Sequence, residues 1–181
     1  MTLDTLVTTD RPPVAPRRRP DSHTISLYVA NQPGVLARIA QTFARRGFNI
    51  DSLVVSPGRD GRFSRMTVGA TGDPEGLEQI IQQCLKLVDV VQALDHTDSD
   101  CVEKELALIK LSVPAEGRAE ALQISEHFGC KTVDLTETSM ILQATGDTDK
   151  IDALVRMVAK FGILELVRTG KVLMVRGEEL T

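Results

Sequence analysis

The chain is expected to fold as two tandem α+β domains of ferredoxin-like βαββαβ order, each with two helices over one face of a four-stranded antiparallel sheet. Three observations carry this. Residues His23 to Leu53 run strand, glycine turn, amphipathic helix, strand. The same alternation of periods resumes after a polar stretch near residue 100, and a shift of 74 residues lays one segment of the chain over another. At 181 residues the chain is long enough for two small domains, each with its own core.

Residues 1–22 contain Pro12, Pro13, Pro16 and Pro20, the basic run Arg17-Arg18-Arg19 and almost nothing that packs, so they read as a disordered N-terminal extension. Asp4, Asp10 and Asp21, and the lack of an amphipathic Arg-rich helix, argue against a transit peptide. The first domain is placed at 23–97. Ile25, Leu27 and Val29 alternate with Ser26 and Tyr28, the period of a half-buried strand. Asn31-Gln32-Pro33-Gly34 breaks that strand with turn formers. Leu36, Ile39, Ala40 and Phe43 then follow a helical stripe, Arg38, Gln41, Arg45 and Arg46 take the outer face, and Gly47 stands at the expected C-cap. Asp51 to Ser56 continue a second strand, Pro57 to Gly61 turn a hairpin, and Phe63 to Ala70 return with Ser64, Met66, Val68 and Ala70 on one face. Asp73 as N-cap and Pro74 at the first helical position start a second helix striped by Leu77, Ile80, Ile81, Cys84 and Leu85. Asp89 to Leu94 make the fourth strand.

Residues 98–104, inside the polar stretch Asp95 to Lys104, read as a linker, and 105–181 as the second domain. Leu106 to Val113 is a nearly continuous apolar strand, and Glu116 to Phe128 a helix aligning Ala121, Ile124 and Phe128, closed by Gly129. Strands follow at Thr132 to Leu135 and Met140 to Thr145, and the last two at Ile163 to Arg168 and Val172 to Val175. Between these pairs Thr145-Gly146-Asp147 opens a helix. The 74-residue shift places Thr71-Gly72-Asp73 on Thr145-Gly146-Asp147 without a gap. It also places Leu77, Ile80, Ile81, Cys84 and Leu85 on Ile151, Leu154, Val155, Val158 and Ala159, so cap and buried stripe recur together.

Composition narrows the function classes. With 42% hydrophobic and 25% charged residues and a net charge of -4, nothing points to nucleic acid or an anionic membrane as partner. No apolar run approaches the roughly 20 residues that span a bilayer. Cys84, Cys101 and Cys130 share no C-x-x-C spacing, which favours a reduced compartment, the cytoplasm, with Cys84 as a core residue. His23, His96 and His127 are equally scattered, so no metal is expected. The chain has no phosphate loop, no G-x-G-x-x-G and no nucleophile set beside a base, and no catalytic residue is assigned. One Tyr, five Phe and no Trp leave no stacking platform for RNA.

What remains is the turn from Asn31 to Leu36. A helix that starts on glycine exposes backbone N–H groups and a partial positive charge, so Gly34, Val35 and Leu36 can receive a carboxylate. The Asn31 amide can donate to a carboxylate or accept from an ammonium. Those are the two ends of an amino acid. From the residues alone, a turn shaped only to join strand to helix stays open beside the ligand site.

The stretch NQPGVLARIAQTFARRGFNIDSL, with Ser64-Arg65-Met66-Thr67-Val68, LEQIIQQCLKLVDVV, ELALIKL and VRTGKVLMVRG, closely resembles the small regulatory subunit family of acetolactate synthase, whose first domain is an ACT domain. The resemblance runs in order through about residues 23 to 178. It implies a protein without its own active site that binds a large catalytic subunit carrying thiamine diphosphate, Mg2+ and FAD. It implies activation of that enzyme and feedback inhibition by branched-chain amino acids, valine above all. It further implies a homodimer through the ACT domains. The effector then lies between chains, with Asn31, Gly34, Val35 and Leu36 from one and Asn49 and Ile50 from the other. Where the family often carries an acidic residue just before the motif Asn, this chain has Ala30. The face of Arg38, Arg45 and Arg46, the loop from Arg59 to Phe63, and Arg65 are candidate contacts for the large subunit, with solvated surface as the competing reading. A free-standing amino-acid sensor acting on a different enzyme or a transcription factor is the alternative function.

Overall fold

A computed structural model describes residues 22–178 and residue 181. The extension read at 1–22 lies, but for Ser22, outside the described residues. The first half runs β1 (Ser22–Ala30), α1 (Val35–Arg45), β2 (Asn49–Pro57), β3 (Phe63–Thr71), α2 (Pro74–Leu85) and β4 (Val90–Asp95). Its four strands lie in the order β2-β3-β1-β4 and every neighbouring pair is antiparallel. Connecting β1 to β2 and β3 to β4 across an intervening strand requires two crossovers, and the two helices are those crossovers.

Ile25, Leu27 and Val29 meet Met66, Val68 and Ala70 on the helix-facing side, with Ile39, Phe43, Ile80 and Cys84 above them. Burial leaves the Cys84 thiol raised to about 11, which suits a packing residue and not a nucleophile. Helix α1 stops as its sequence demands. The Gly47 N–H reaches Ala44 O at 3.1 Å and the Phe48 N–H reaches Phe43 O at 3.1 Å, with Gly47 at φ 74°. This double bond pattern needs a left-handed residue at Gly47, and it turns Phe48 back into the core.

The expected stripe on α1 needs correcting. The buried residues are Val35, Ile39 and Phe43, whereas Leu36 is 44% exposed. Positions i, i+4 and i+8 form one row, and because the helix begins directly at Val35 that row faces the sheet. The far face of β1 is also less open than a half-buried strand implies. Thr24 and Ser26 are buried because the following connection folds over them, His96 Nε2 lying 2.8 Å from Ser26 Oγ.

The second half repeats the plan with β5 (Cys101–Ser112), a 3-10 turn at Ala115–Gly117, α3 (Arg118–His127), β6 (Lys131–Leu135), β7 (Ser139–Gly146), α4 (Thr148–Val158), β8 (Ile163–Arg168) and β9 (Val172–Val175). The strand order is β6-β7-β5-β8, with β9 added along the start of β5. Here the linker reading fails for Cys101–Lys104, which form the first third of β5 and pair with Val172–Val175. The partner lies some 70 residues ahead, and a short polar edge strand carries no local period that announces it. In α3 the innermost residues are Ala121 and Ser125, while Ile124 and Phe128 pack at the margin of the core.

The internal repeat survives in three dimensions. Asp73 Oδ1 accepts from the Glu75 N–H at 3.1 Å and Asp147 Oδ1 from the Lys150 N–H at 2.9 Å, each capping its helix. Ile80 and Cys84 are buried, as are Leu154 and Val158 in the matching positions.

Candidate functional site

The turn after β1 is held by three bonds to segments distant in sequence. Ala30 donates its N–H to Asp89 O at 2.8 Å, Asn31 donates to Arg62 O at 2.9 Å, and Asn31 Nδ2 donates to Gly61 O at 2.9 Å. The loop supplying Arg62 and Gly61 is itself held by Asp60, whose carboxylate accepts from Arg62 Nε at 2.7 Å and from the Arg62 N–H at 3.1 Å. That side-chain bond holds the Asp60 carboxyl below its ordinary range. Since a backbone carbonyl only accepts, the nitrogen end of the Asn31 amide faces Gly61, which leaves Oδ1 as an acceptor and one N–H as a donor.

Gly34 is the N-cap of α1, at φ 85°, and no side chain caps the helix. The Val35 N–H makes only a long 3.5 Å bond to Gln32 O, and no acidic residue lies in the first turn. The positive end of α1 therefore has no carboxylate of its own in that turn. Val35 reaches the site through its backbone only, because its side chain is in the core; Leu36 offers an exposed apolar side chain beside the turn.

Arg38 sits one turn into α1. Its Nε and Nη2 both donate to Asp89 Oδ2, at 2.9 and 2.5 Å. Its remaining nitrogen, Nη1, lies 3.2 Å from where a Cβ on Gly34 would stand. Asp89 was legible only as the start of a strand; it lies 51 residues from Arg38 and no local pattern links them.

Asn49 and Ile50 are not brought to this turn within one chain. Asn49 pairs with Thr71, which pairs with Ser22 at the start of β1, whereas Asn31 follows the other end of β1, where Ala30 pairs with Phe63. The eight steps of strand between correspond to roughly 26 Å. Asn49 is exposed and donates to Asp51 Oδ1; Ile50 is half-buried and packs against the first core. Arg59 is exposed in the β2–β3 loop, and the Arg65 guanidinium lies 5.9 Å from the centre of the Tyr28 ring.

A cavity lies elsewhere, in the cleft between the two halves. It measures about 670 Å³ and is lined by Asp51 and Thr71 of the first sheet and by Glu103 and Glu105 of β5, among others. Its chief cation is already engaged, Arg168 donating to Glu105 at 2.8 and 3.0 Å and to Asp152 at 2.6 Å. Lys171 is likewise paired with Glu103 at 2.9 Å, and the acidic residues of the lining outnumber its cations, so the cavity is a weaker candidate for an amino acid's carboxylate than the open turn. Among the described residues no group of His, Cys, Asp and Glu is placed to hold a metal, and no helix is long and apolar enough to cross a membrane.

Two family models match in succession, "AHAS small subunit-like ACT domain" over residues 25–92 and "Small subunit of acetolactate synthase" over residues 104–177. The acetolactate synthase small subunit of Aquifex aeolicus is 43% identical over 155 residues, covering 85% of this chain and 81% of its own. That of Mycobacterium bovis is 39% identical over 158 residues, covering 87% of this chain and 94% of its own. The crystal structure of the small subunit from Thermotoga maritima superimposes with a TM-score of 0.78 at 36% identity, across 87% of this chain and 99% of that one. With both halves matched in order and relatives this similar over most of the length, the chain belongs to the acetolactate synthase small subunit family.

Proposed function

We propose that the chain is the regulatory subunit through which valine, or a related branched-chain amino acid, inhibits an acetolactate synthase that the same chain activates. In this reading the thiamine diphosphate, Mg2+ and FAD belong to the large catalytic subunit in the cytoplasm, and this chain contributes regulation.

The observation that carries the proposal is the separation of the two candidate half-sites by the length of β1. Strand β2 is the free edge of the first sheet. Pairing that edge antiparallel with its copy about a two-fold axis brings the Asn49 end of one β2 beside the Pro57 end of the other. The Pro57 end is the one that Ser64 and Val29 join to the Asn31 turn. Two copies so arranged form two equivalent sites, each with Asn31, Gly34 and Leu36 from one chain and Asn49 and Ile50 from its mate. A ligand held across such a junction stabilises the dimer geometry that closes on it, and it acts on the catalytic partner through that difference in affinity.

The test is to isolate the tagged chain from cells that also supply a large subunit, and to follow acetolactate formation by the reconstituted pair across a valine titration. Co-purification, higher activity with the chain present and inhibition that depends on it are expected. Valine binding without any synthase attached would instead mark a free-standing sensor, and a flat titration would remove the feedback role.

A further inference from the structure

We propose that Arg38 and Asp89 are the specificity-determining pair of the effector site, Arg38 reading the carboxylate of a zwitterionic amino acid and Asp89 its ammonium. The inference rests on the turn being an effector site, as proposed above.

The pair is unlike an ordinary surface salt bridge in how its atoms are used. Both bonds from Arg38 converge on a single oxygen, Asp89 Oδ2. Asp89 Oδ1 takes no bond among the described residues, and Arg38 Nη1 likewise donates to nothing there. A guanidinium has five N–H donors and a carboxylate about four acceptor sites, so each partner keeps unspent capacity. The free Nη1 is the atom that lies over Gly34, next to the uncapped start of α1. Arg38 thus adds a full cation beside the open first-turn N–H groups, and a carboxylate placed there meets both.

The anionic half lies against Arg38 at the same turn. Asp89 is tied to the backbone of Ala30 at 2.8 Å, one residue from Asn31, whose Oδ1 is a second acceptor. Ala30 itself brings no charge. An ammonium needs acceptors, and the Asp89 carboxylate and Asn31 Oδ1 are two that this turn supplies. Arg38 keeps 45% of its side-chain surface open and Asp89 only 12%, so the anion is partly shielded from water while the cation stays in reach. A ligand bearing both charges in the spacing of an α-amino acid satisfies the pair; a ligand with one charge leaves one member unanswered. Hydrophobic fit against Leu36 then sorts among side chains.

The experiment uses ligands that each lack one charge. Valine, 3-methylbutanoate (no ammonium) and isobutylamine (no carboxylate) are titrated into the full chain and into Arg38→Gln, Asp89→Asn and Arg38→Lys. The parent should bind valine at least tenfold more tightly than either analogue. Asp89→Asn should weaken valine and isobutylamine tenfold or more and leave 3-methylbutanoate unchanged, whereas Arg38→Gln should weaken valine and 3-methylbutanoate and leave isobutylamine unchanged. Arg38→Lys, which keeps the charge and guards against a fold lost with it, should retain binding of all three within severalfold. Equal weakening of all three ligands in both neutral variants would reduce the pair to a structural tie and overturn the inference alone. A parent that binds no branched-chain amino acid would overturn it together with the reading on which it rests.

Discussion

Asn31 Nδ2 donates to the carbonyl of Gly61 at 2.9 Å, so one N–H of this amide is engaged within its own chain. The sequence left open whether that amide donates to a carboxylate or accepts from an ammonium. The bond to Gly61 uses one of the two amide N–H donors and leaves Oδ1 unbonded, so the proposed reading gives Oδ1 the ammonium.

Asn31→Ala is therefore expected to remove one acceptor for a charged donor, about 1.5–3 kcal/mol, or roughly a 10- to 100-fold rise in the dissociation constant for valine. Small amino acids bind with modest energy to begin with, about -5 to -6 kcal/mol for a Kd near 0.1 mM. Inhibition should vanish at moderate valine while activation of the catalytic subunit persists. An unchanged inhibition curve would remove Asn31 from the site.

Gly34 separates two effects. Its φ of 85° disfavours any Cβ, so Gly34→Ala should cost about 1–2 kcal/mol of stability. The added methyl would meet Arg38 Nη1 at 3.2 Å, the end of a flexible side chain that can shift. Gly34→Asp adds a carboxylate in the same place and should occupy Arg38 from within. Calorimetry should then find valine affinity reduced in Gly34→Ala and abolished in Gly34→Asp; equal affinities in the two variants would separate Arg38 from the ligand.

Phe43 is wholly buried and is also the residue whose carbonyl accepts the Phe48 N–H at the end of α1. Phe43→Ala should destabilise the chain by about 3–5 kcal/mol through cavity formation. Denaturant titration measures this. A loss below about 1 kcal/mol would mean that the core under α1 collapses to fill the space.

His96 is expected to make the fold acid-sensitive. Burial is the largest influence and lowers its pKa below the ordinary value near 6.5; Asp95 and Glu103 oppose that shift and Arg65 adds to it. Above pH 6.5 the ring is neutral in folded and unfolded chains alike and contributes nothing to pH dependence. Below it the unfolded chain takes up a proton that the folded chain resists, so stability falls with pH, by at most about 1.4 kcal/mol per unit, until the folded pKa is passed. Urea midpoints between pH 8 and pH 5 should show this slope in the parent and lose it in His96→Gln. Parallel profiles for the two proteins would assign the acid response to other groups.

What the sequence determined by itself is whatever neighbouring residues decide among themselves. The core-facing row Ile25, Leu27 and Val29, the caps at Asp73 and Asp147, and the C-cap glycine at 47 are each set within a few residues, and each is found in place. The repeat at 74 residues was legible for the same reason, since cap and stripe are local features that recur. Tertiary structure decided the rest. Val35 rather than Leu36 faces the core because the sheet, not the helix, selects which row is buried. Cys101–Lys104 become a strand only because Val172–Val175 arrive beside them. Asp89 joins the turn because β4 lies next to β1, and Asn49 is carried to the far end of the sheet by the register of β2 on β3. Those placements depend on which distant surfaces meet, a free energy summed over whole elements, and no window of a few residues contains it.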